Sequence, residues 1–110
     1  MFNKTKRLEK RRKKKATKKI KKAFSKGKVA KYHLITRDNG EEKEIKIYPK
    51  VESVSFDDEN RKLIYEFTIP IGLNPDKVTE KEWVFKQVFG DNAQLDKLNA
   101  REFVLTAYPD

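Results

Sequence analysis

Basic and acidic side chains are segregated along this chain, and the segregation limits where a folded core can form. Residues 1–28 hold 15 Lys and Arg side chains and a single acid, Glu9, for a net charge of +14. The rest of the chain has a net charge of −4 and contains the only Trp and five of the seven Phe residues. The sequence therefore predicts a basic segment of residues 1–27 followed by a small domain of residues 28–110.

The basic segment is rich in Lys, Arg and Ala, which are good helix formers, and no Gly or Pro precedes Gly27. Repulsion between like charges four residues apart opposes the helix. We therefore expect a helical or partly disordered tail that becomes ordered on an anionic partner. A narrow apolar stripe near its C-terminal end is formed by Ala16, Ile20, Ala23 and Phe24.

Alternating apolar residues after the basic segment predict four strands in two hairpins. The first hairpin surrounds Asn39-Gly40, a pair typical of a type I′ turn. The second surrounds the acidic turn of residues 57–60, and its alternation places Tyr65 and Phe67 on the core side of a half-buried strand.

A helix follows the fourth strand, since Thr79 and Glu82 match the capping box that begins helices. Trp83 then takes the position of a hydrophobic staple, and Gly90 marks the helix end. We expect Trp83, with Phe85 and Phe89, to lie in the core; the alternative is an aromatic surface on which bases stack.

Two further strands, about residues 93–97 and 102–108, complete the order β-β-β-β-α-β-β after the basic helix. This pattern predicts an α+β fold, with a basic N-terminal helix and a small antiparallel sheet on which one helix packs.

Residues for catalysis, metal binding or cofactor binding are scarce. The chain has no cysteine and one histidine, His33, so an N/S zinc site cannot be built from it alone. A phosphate-binding Gly-x-x-x-x-Gly-Lys-Ser/Thr motif is absent, and the acidic residues 57–59 lack the spacing of a calcium loop. We expect no enzymatic activity, no cofactor and no metal.

The basic segment is the candidate binding site. A Lys-rich run neutralises phosphates and displaces counterions with little sequence preference. The predicted nucleic-acid-binding residues are Lys10, Arg11, Arg12, Lys13, Lys14, Lys15, Lys18, Lys19, Lys21, Lys22 and Lys26.

Three other interpretations of this segment stay open. As an amphipathic helix on anionic lipid it would insert Ile20, Ala23 and Phe24 into the headgroup region, making the chain a peripheral membrane-surface adaptor. It could also contact RNA, or serve only as a solvated leader. We expect a cytoplasmic protein, peripheral at the inner face of the membrane under the lipid interpretation.

Four motifs carry a resemblance to a known family. The motifs "YPK", "FTIPIGLNP", "WVFKQVFG" and "FVLTAY", at Tyr48–Lys50, Phe67–Pro75, Trp83–Gly90 and Phe103–Tyr108, resemble the region before the motor domain of FtsK/SpoIIIE-like DNA translocases of Gram-positive conjugative elements and plasmids. The resemblance implies an accessory role in conjugative DNA transfer, with DNA and translocase or conjugation-machinery proteins as partners. Because the Walker motifs of those translocases are missing, it implies no ATPase residue here.

Overall fold

A computed structural model describes residues 2–108, and the side chains from residue 8 onward. Met1, in the predicted basic segment, and residues 109–110, in the predicted domain, lie outside the described residues. The chain has the expected α+β architecture. Its elements are α1 (Phe2–Gly27), β1 (Lys31–Thr36), β2 (Glu42–Ile47), β3 (Lys50–Asp57), β4 (Lys62–Thr68), α2 (Pro75–Thr79), α3 (Glu82–Phe89), β5 (Gln94–Lys97) and β6 (Glu102–Ala107).

The described strands form two antiparallel sheets instead of one. Strands β3 to β6 make a four-stranded sheet in the order β3-β4-β6-β5, and β1 pairs with β2 alone. In the larger sheet, Tyr65 lies opposite Leu105 and Phe67 opposite Phe103. All four side chains are buried, so the alternation expected for β4 is confirmed.

Helices α1 and α3 pack together on the apolar face of the four-stranded sheet. The ring of Phe24 from α1 lies 5.0 Å from that of Phe67 and 5.9 Å from that of Phe85, both edge-on. The Tyr65 hydroxyl donates a 2.8 Å hydrogen bond to the Ala16 carbonyl, which joins α1 to β4. Burial raises the pKa of Tyr65, so this hydroxyl keeps its proton and remains a donor.

The packing does not follow the expected division at residue 27. Every member of the apolar stripe is buried, and Ile20, Ala23 and Phe24 are completely inaccessible to solvent. The C-terminal half of α1 is therefore part of the core and not a tail. A stripe this narrow is sufficient because it supplies one layer of a small core whose other layer is the sheet.

Helix α1 ends at Gly27 in a Schellman motif. Lys28 has a left-handed φ of 54°, and the Val29 amide donates to the Phe24 carbonyl at 2.9 Å. A Cβ at Gly27 would lie about 3.4 Å from the Val84 side chain of α3. Gly27 therefore permits the close approach of the two helices.

The single helix expected from Thr79 to Phe89 is two helices, and the capping box is not formed. Asn74 caps α2, its side chain accepting a 2.9 Å hydrogen bond from the Asp76 amide, while the Thr79 hydroxyl donates to the Asp76 carbonyl. Helix α3 begins at Glu82, without a side-chain cap. Trp83 is 54% exposed, so its expected core position was wrong. It lies two residues before the buried Phe85, which places the two side chains on nearly opposite sides of α3.

The β1–β2 hairpin extends from the body with nearly all its side chains exposed. Its turn is not type I′, because Asn39 does not have a positive φ and only Gly40 does, at 85°. The Gly40 amide donates to the Arg37 carbonyl, and the Arg37 amide donates to the Glu41 carbonyl. This is a three-residue loop with glycine in the left-handed position.

Candidate nucleic-acid interface

The side of α1 that faces away from the sheet carries a continuous row of cations. We call it the outer face of α1, and its members recur at the helical spacing of three and four residues. It comprises Arg11, Lys14, Lys15, Lys18, Lys21 and Lys22, all exposed. Over about 17 Å of helix axis this surface presents six positive charges, a density suited to a phosphate backbone.

Acidic side chains lie on the opposite side of the molecule. Tyr65 and Phe67 face the helices, so Glu66 between them faces the other side of the sheet. In the register of β4, β6 and β5, Glu66 and Asp96 both lie opposite Val104. Glu66 and Asp96 therefore lie on the side of the sheet opposite the cations of α1.

Arg12 differs from the other predicted binding residues. Its guanidinium contacts the Asp58 carboxylate at 2.8 Å and lies 4.0 Å from the centroid of the Phe56 ring. This hydrogen bond is the main cause that lowers the pKa of Asp58 below its ordinary value. Among the described residues, Arg12 is the one predicted binding residue that forms an ion pair, so its charge is partly used to hold α1 against the β3–β4 turn.

Lys19, Lys22 and Lys26 line a groove between α1 and α3 with a volume of about 290 Å³. We call it the α1–α3 groove; its other wall is formed by Val84, Gln87 and Val88. The Lys19 ammonium lies 5.2 Å from the centroid of the Phe89 ring. The groove adjoins the outer face of α1, since Lys22 belongs to both.

The remaining predicted binding residues, Lys10 and Lys13, are exposed on the N-terminal half of α1. The structure thus brings ten of the eleven predicted cations to the surface without an acidic partner among the described residues. The sequence prediction placed Trp83 in the core, whereas it is exposed on α3. The Asn74-Pro75 pair, a good N-cap followed by a favoured first helical residue, is the signal that could have shown that α3 does not begin at Thr79.

The lipid interpretation required the apolar stripe of α1 to be available to a bilayer. Because Ile20, Ala23 and Phe24 are enclosed between α1, α3 and the sheet, that mode of insertion is wrong for this fold. Within the described part of the chain, no helix has the length and apolar character needed to cross a membrane.

The other polar groups considered in the sequence have structural surroundings. Asp57 accepts hydrogen bonds from the backbone and side chain of Asn60, which close the β3–β4 turn and lower the Asp57 pKa. His33 is exposed on β1 opposite Ile45. Over residues 8–108, no three His, Asp or Glu side chains are grouped so that they could hold a metal ion.

Comparisons of the chain with models of known families, with curated proteins and with solved structures gave no match.

Proposed function

We propose that this chain is a non-catalytic accessory module of a DNA-translocation or conjugative DNA-transfer system, in which α1 binds DNA without sequence preference. The observation that carries the proposal is the outer face of α1, a row of exposed cations on a helix whose opposite side is fixed in the core. The resemblance to the region before the motor domain of DNA translocases supplies the biological setting.

The chemistry of the outer face favours phosphate contacts over base recognition. Five of its six members are Lys, a strongly hydrated point charge that does not form the planar two-bond contact that Arg makes to guanine. Binding dominated by such charges releases counterions from DNA, weakens steeply with salt and varies little with sequence. A rigid helix also loses less conformational freedom on binding than a disordered basic tail.

The experiment compares two triple variants that remove the same charge from different surfaces. In the first, Lys14, Lys18 and Lys21 of the outer face become Gln; in the second, Lys43, Lys77 and Lys97, exposed elsewhere, become Gln. Binding to a 20-base-pair duplex of mixed sequence is followed by fluorescence anisotropy over a series of salt concentrations.

We expect the outer-face variant to reduce the slope of log K against log salt by about 2 to 3, since each lost phosphate contact removes about 0.9. The matched control should change the slope by less than about 1. Equal effects of the two variants would falsify a specific role for α1. Tighter Lys-dependent binding to vesicles containing anionic lipid than to the duplex would overturn the choice of DNA.

A further inference from the structure

The largest aromatic side chain of this protein is exposed on α3, the helix that forms one wall of the α1–α3 groove. Trp83 is 54% exposed, while its neighbours Val84 and Phe85 on α3 are buried. The Lys81 ammonium lies 5.7 Å from the centroid of the Trp83 ring. A large aromatic ring is thus exposed to solvent with a lysine beside it.

Contacts between α1 and α3 locate Trp83 relative to the α1–α3 groove. Lys19 approaches the Phe89 ring, at the end of α3, whereas Gly27 approaches Val84, near its start. The two helices therefore run antiparallel along the groove. Trp83, which precedes Val84, lies at the end of the groove where Lys26 lies. It is also four residues from Gln87, so the two side chains are neighbours on one face of α3.

The three lysines that line the groove belong to a longer row of lysines along α1. Lys15, Lys19, Lys22 and Lys26 follow one another at intervals of four, three and four residues and are all exposed. The last three lie along about 10 Å of helix axis. That length accommodates about three phosphates at the duplex spacing of about 3.4 Å and fewer in an extended strand.

We propose that the α1–α3 groove is a binding site for single-stranded DNA, with the phosphates along Lys19, Lys22 and Lys26 and one unpaired base stacked on Trp83. This inference rests on the proposed function. It adds that one part of the basic surface of α1 selects single-stranded DNA. A basic groove with an exposed aromatic ring is the usual arrangement for binding single strands without sequence preference.

The choice of a single strand follows from the geometry of stacking. In a duplex, both faces of an internal base are covered by its neighbours, so Trp83 can stack only on a base that is unpaired and exposed. The outer face of α1 needs phosphates alone and therefore accepts a duplex. Lys22 belongs to both surfaces, so its loss should weaken both modes of binding.

Fluorescence tests the inference directly, because Trp83 is the only Trp in the chain. The probes are a (dT)12 oligonucleotide, an abasic oligonucleotide of the same length and charge, and the 20-base-pair duplex. We expect (dT)12 to quench Trp83 emission, and the abasic strand and the duplex to leave it nearly unchanged. Quenching of the same size by the abasic strand would show that stacking is absent and would overturn the inference.

Substitution provides the second test. Trp83→Ala should weaken (dT)12 binding by about 5- to 150-fold, the range for loss of one stacked base, and leave duplex binding unchanged. Trp83→Phe should recover much of the loss. The matched control is Leu98→Ala, which removes another exposed apolar side chain, and should leave the binding of both probes unchanged.

The two proposals fail in different ways. If duplex binding depends on the outer face of α1 but Trp83→Ala leaves (dT)12 affinity unchanged, the single-strand site is wrong and the DNA-binding function stands. If neither probe binds in a Lys-dependent manner, both are wrong. Circular dichroism melting of each variant identifies any loss of fold. If Trp83→Ala is unfolded, the comparison of (dT)12 with the abasic strand on the natural protein decides the question.

Discussion

At the scale of single residues, Arg12 was predicted to bind nucleic acid but forms an ion pair with Asp58. The guanidinium donates to the carboxylate at 2.8 Å and covers the Phe56 ring. Both charged groups are solvent-exposed, so the pair orients the N-terminal half of α1 and adds little to the stability of the fold.

This pair predicts a pH dependence of stability. The folded-state pKa of Asp58 is lowered, mainly by the hydrogen bond from Arg12. Its contribution to stability is therefore present above the unfolded-state pKa of about 3.9 and is lost as pH falls through the folded value. We expect Asp58→Asn to be less stable than the natural protein at pH 6, and the difference to shrink progressively below about pH 4. Thermal melting from pH 6 to pH 2.5 measures it.

Asp57 also has a lowered pKa, mainly because it accepts hydrogen bonds from Asn60, and its charge acts on Asp58 in the opposite direction to Arg12. The control is the same Asp58→Asn comparison made in an Arg12→Gln background. There, the pH-dependent difference should disappear. Its persistence without Arg12 would show that another group is responsible for the Asp58 shift.

At the scale of elements, α1 has two roles: its apolar stripe packs in the core, and its outer face exposes cations. The charge pattern of the sequence indicated only the second role. Its charge count suggested a tail, although the stripe containing Ile20 and Phe24 was already visible at helical spacing. The sequence alone does not say whether such a stripe contacts a lipid, a partner or the chain's own sheet, because the same spacing of apolar residues suits all three. Tertiary packing against Phe67 and Phe85 makes the choice.

Truncation of α1 tests this division of roles. Deleting residues 1–15 removes no buried side chain among those described, so we expect the remaining chain to fold, with only a small loss of stability from the Arg12 contact. Deleting residues 1–26 removes Ile20 and Phe24 from the core and should prevent folding. Phe24→Ala alone should cost about 3–5 kcal/mol. Urea unfolding followed by circular dichroism measures all three.

A chain lacking residues 1–26 that still unfolded cooperatively, at the urea concentration of the natural protein, would contradict this packing. The exposed Lys18→Ala provides the control within the same helix, since it removes a long side chain without opening a cavity. It should change the free energy of unfolding by less than about 0.5 kcal/mol.

The last two strands were predicted to within one residue, whereas the helix before β5 was not. Strong alternation in β4 and β6 leaves one arrangement that buries Tyr65 and Leu105 together. The start of α3 was misplaced because Thr79 and Glu82 satisfy a local capping pattern that competes with the Asn74-Pro75 start of α2. Placing the N-cap at Thr79 instead of Lys81 gave Trp83 the position of a hydrophobic staple, and so an inward orientation, in the prediction.

At the scale of the whole molecule, the described structure has two parts with different support. Strands β4 and β6 each pair on both sides within the four-stranded sheet and are covered by α1 and α3. Strands β1 and β2 pair only with each other, and their apolar side chains, including Leu34 and Ile35, are exposed. An isolated two-stranded hairpin is at most marginally stable in water.

Hydrogen exchange distinguishes the two parts. We expect the hydrogen-bonded amides of β1 and β2 to exchange at least about 100-fold faster than those of β4 and β6, because the hairpin opens without unfolding the core. Low concentrations of urea should accelerate exchange in β4 and β6 and have much less effect on the hairpin, since local opening exposes little buried surface. Equal protection of both sheets, with the same urea dependence, would mean that the hairpin unfolds only with the body. Its exposed apolar side chains would then be held rigidly, as a preformed surface, by contacts at its base around the buried Ala30 and Pro49.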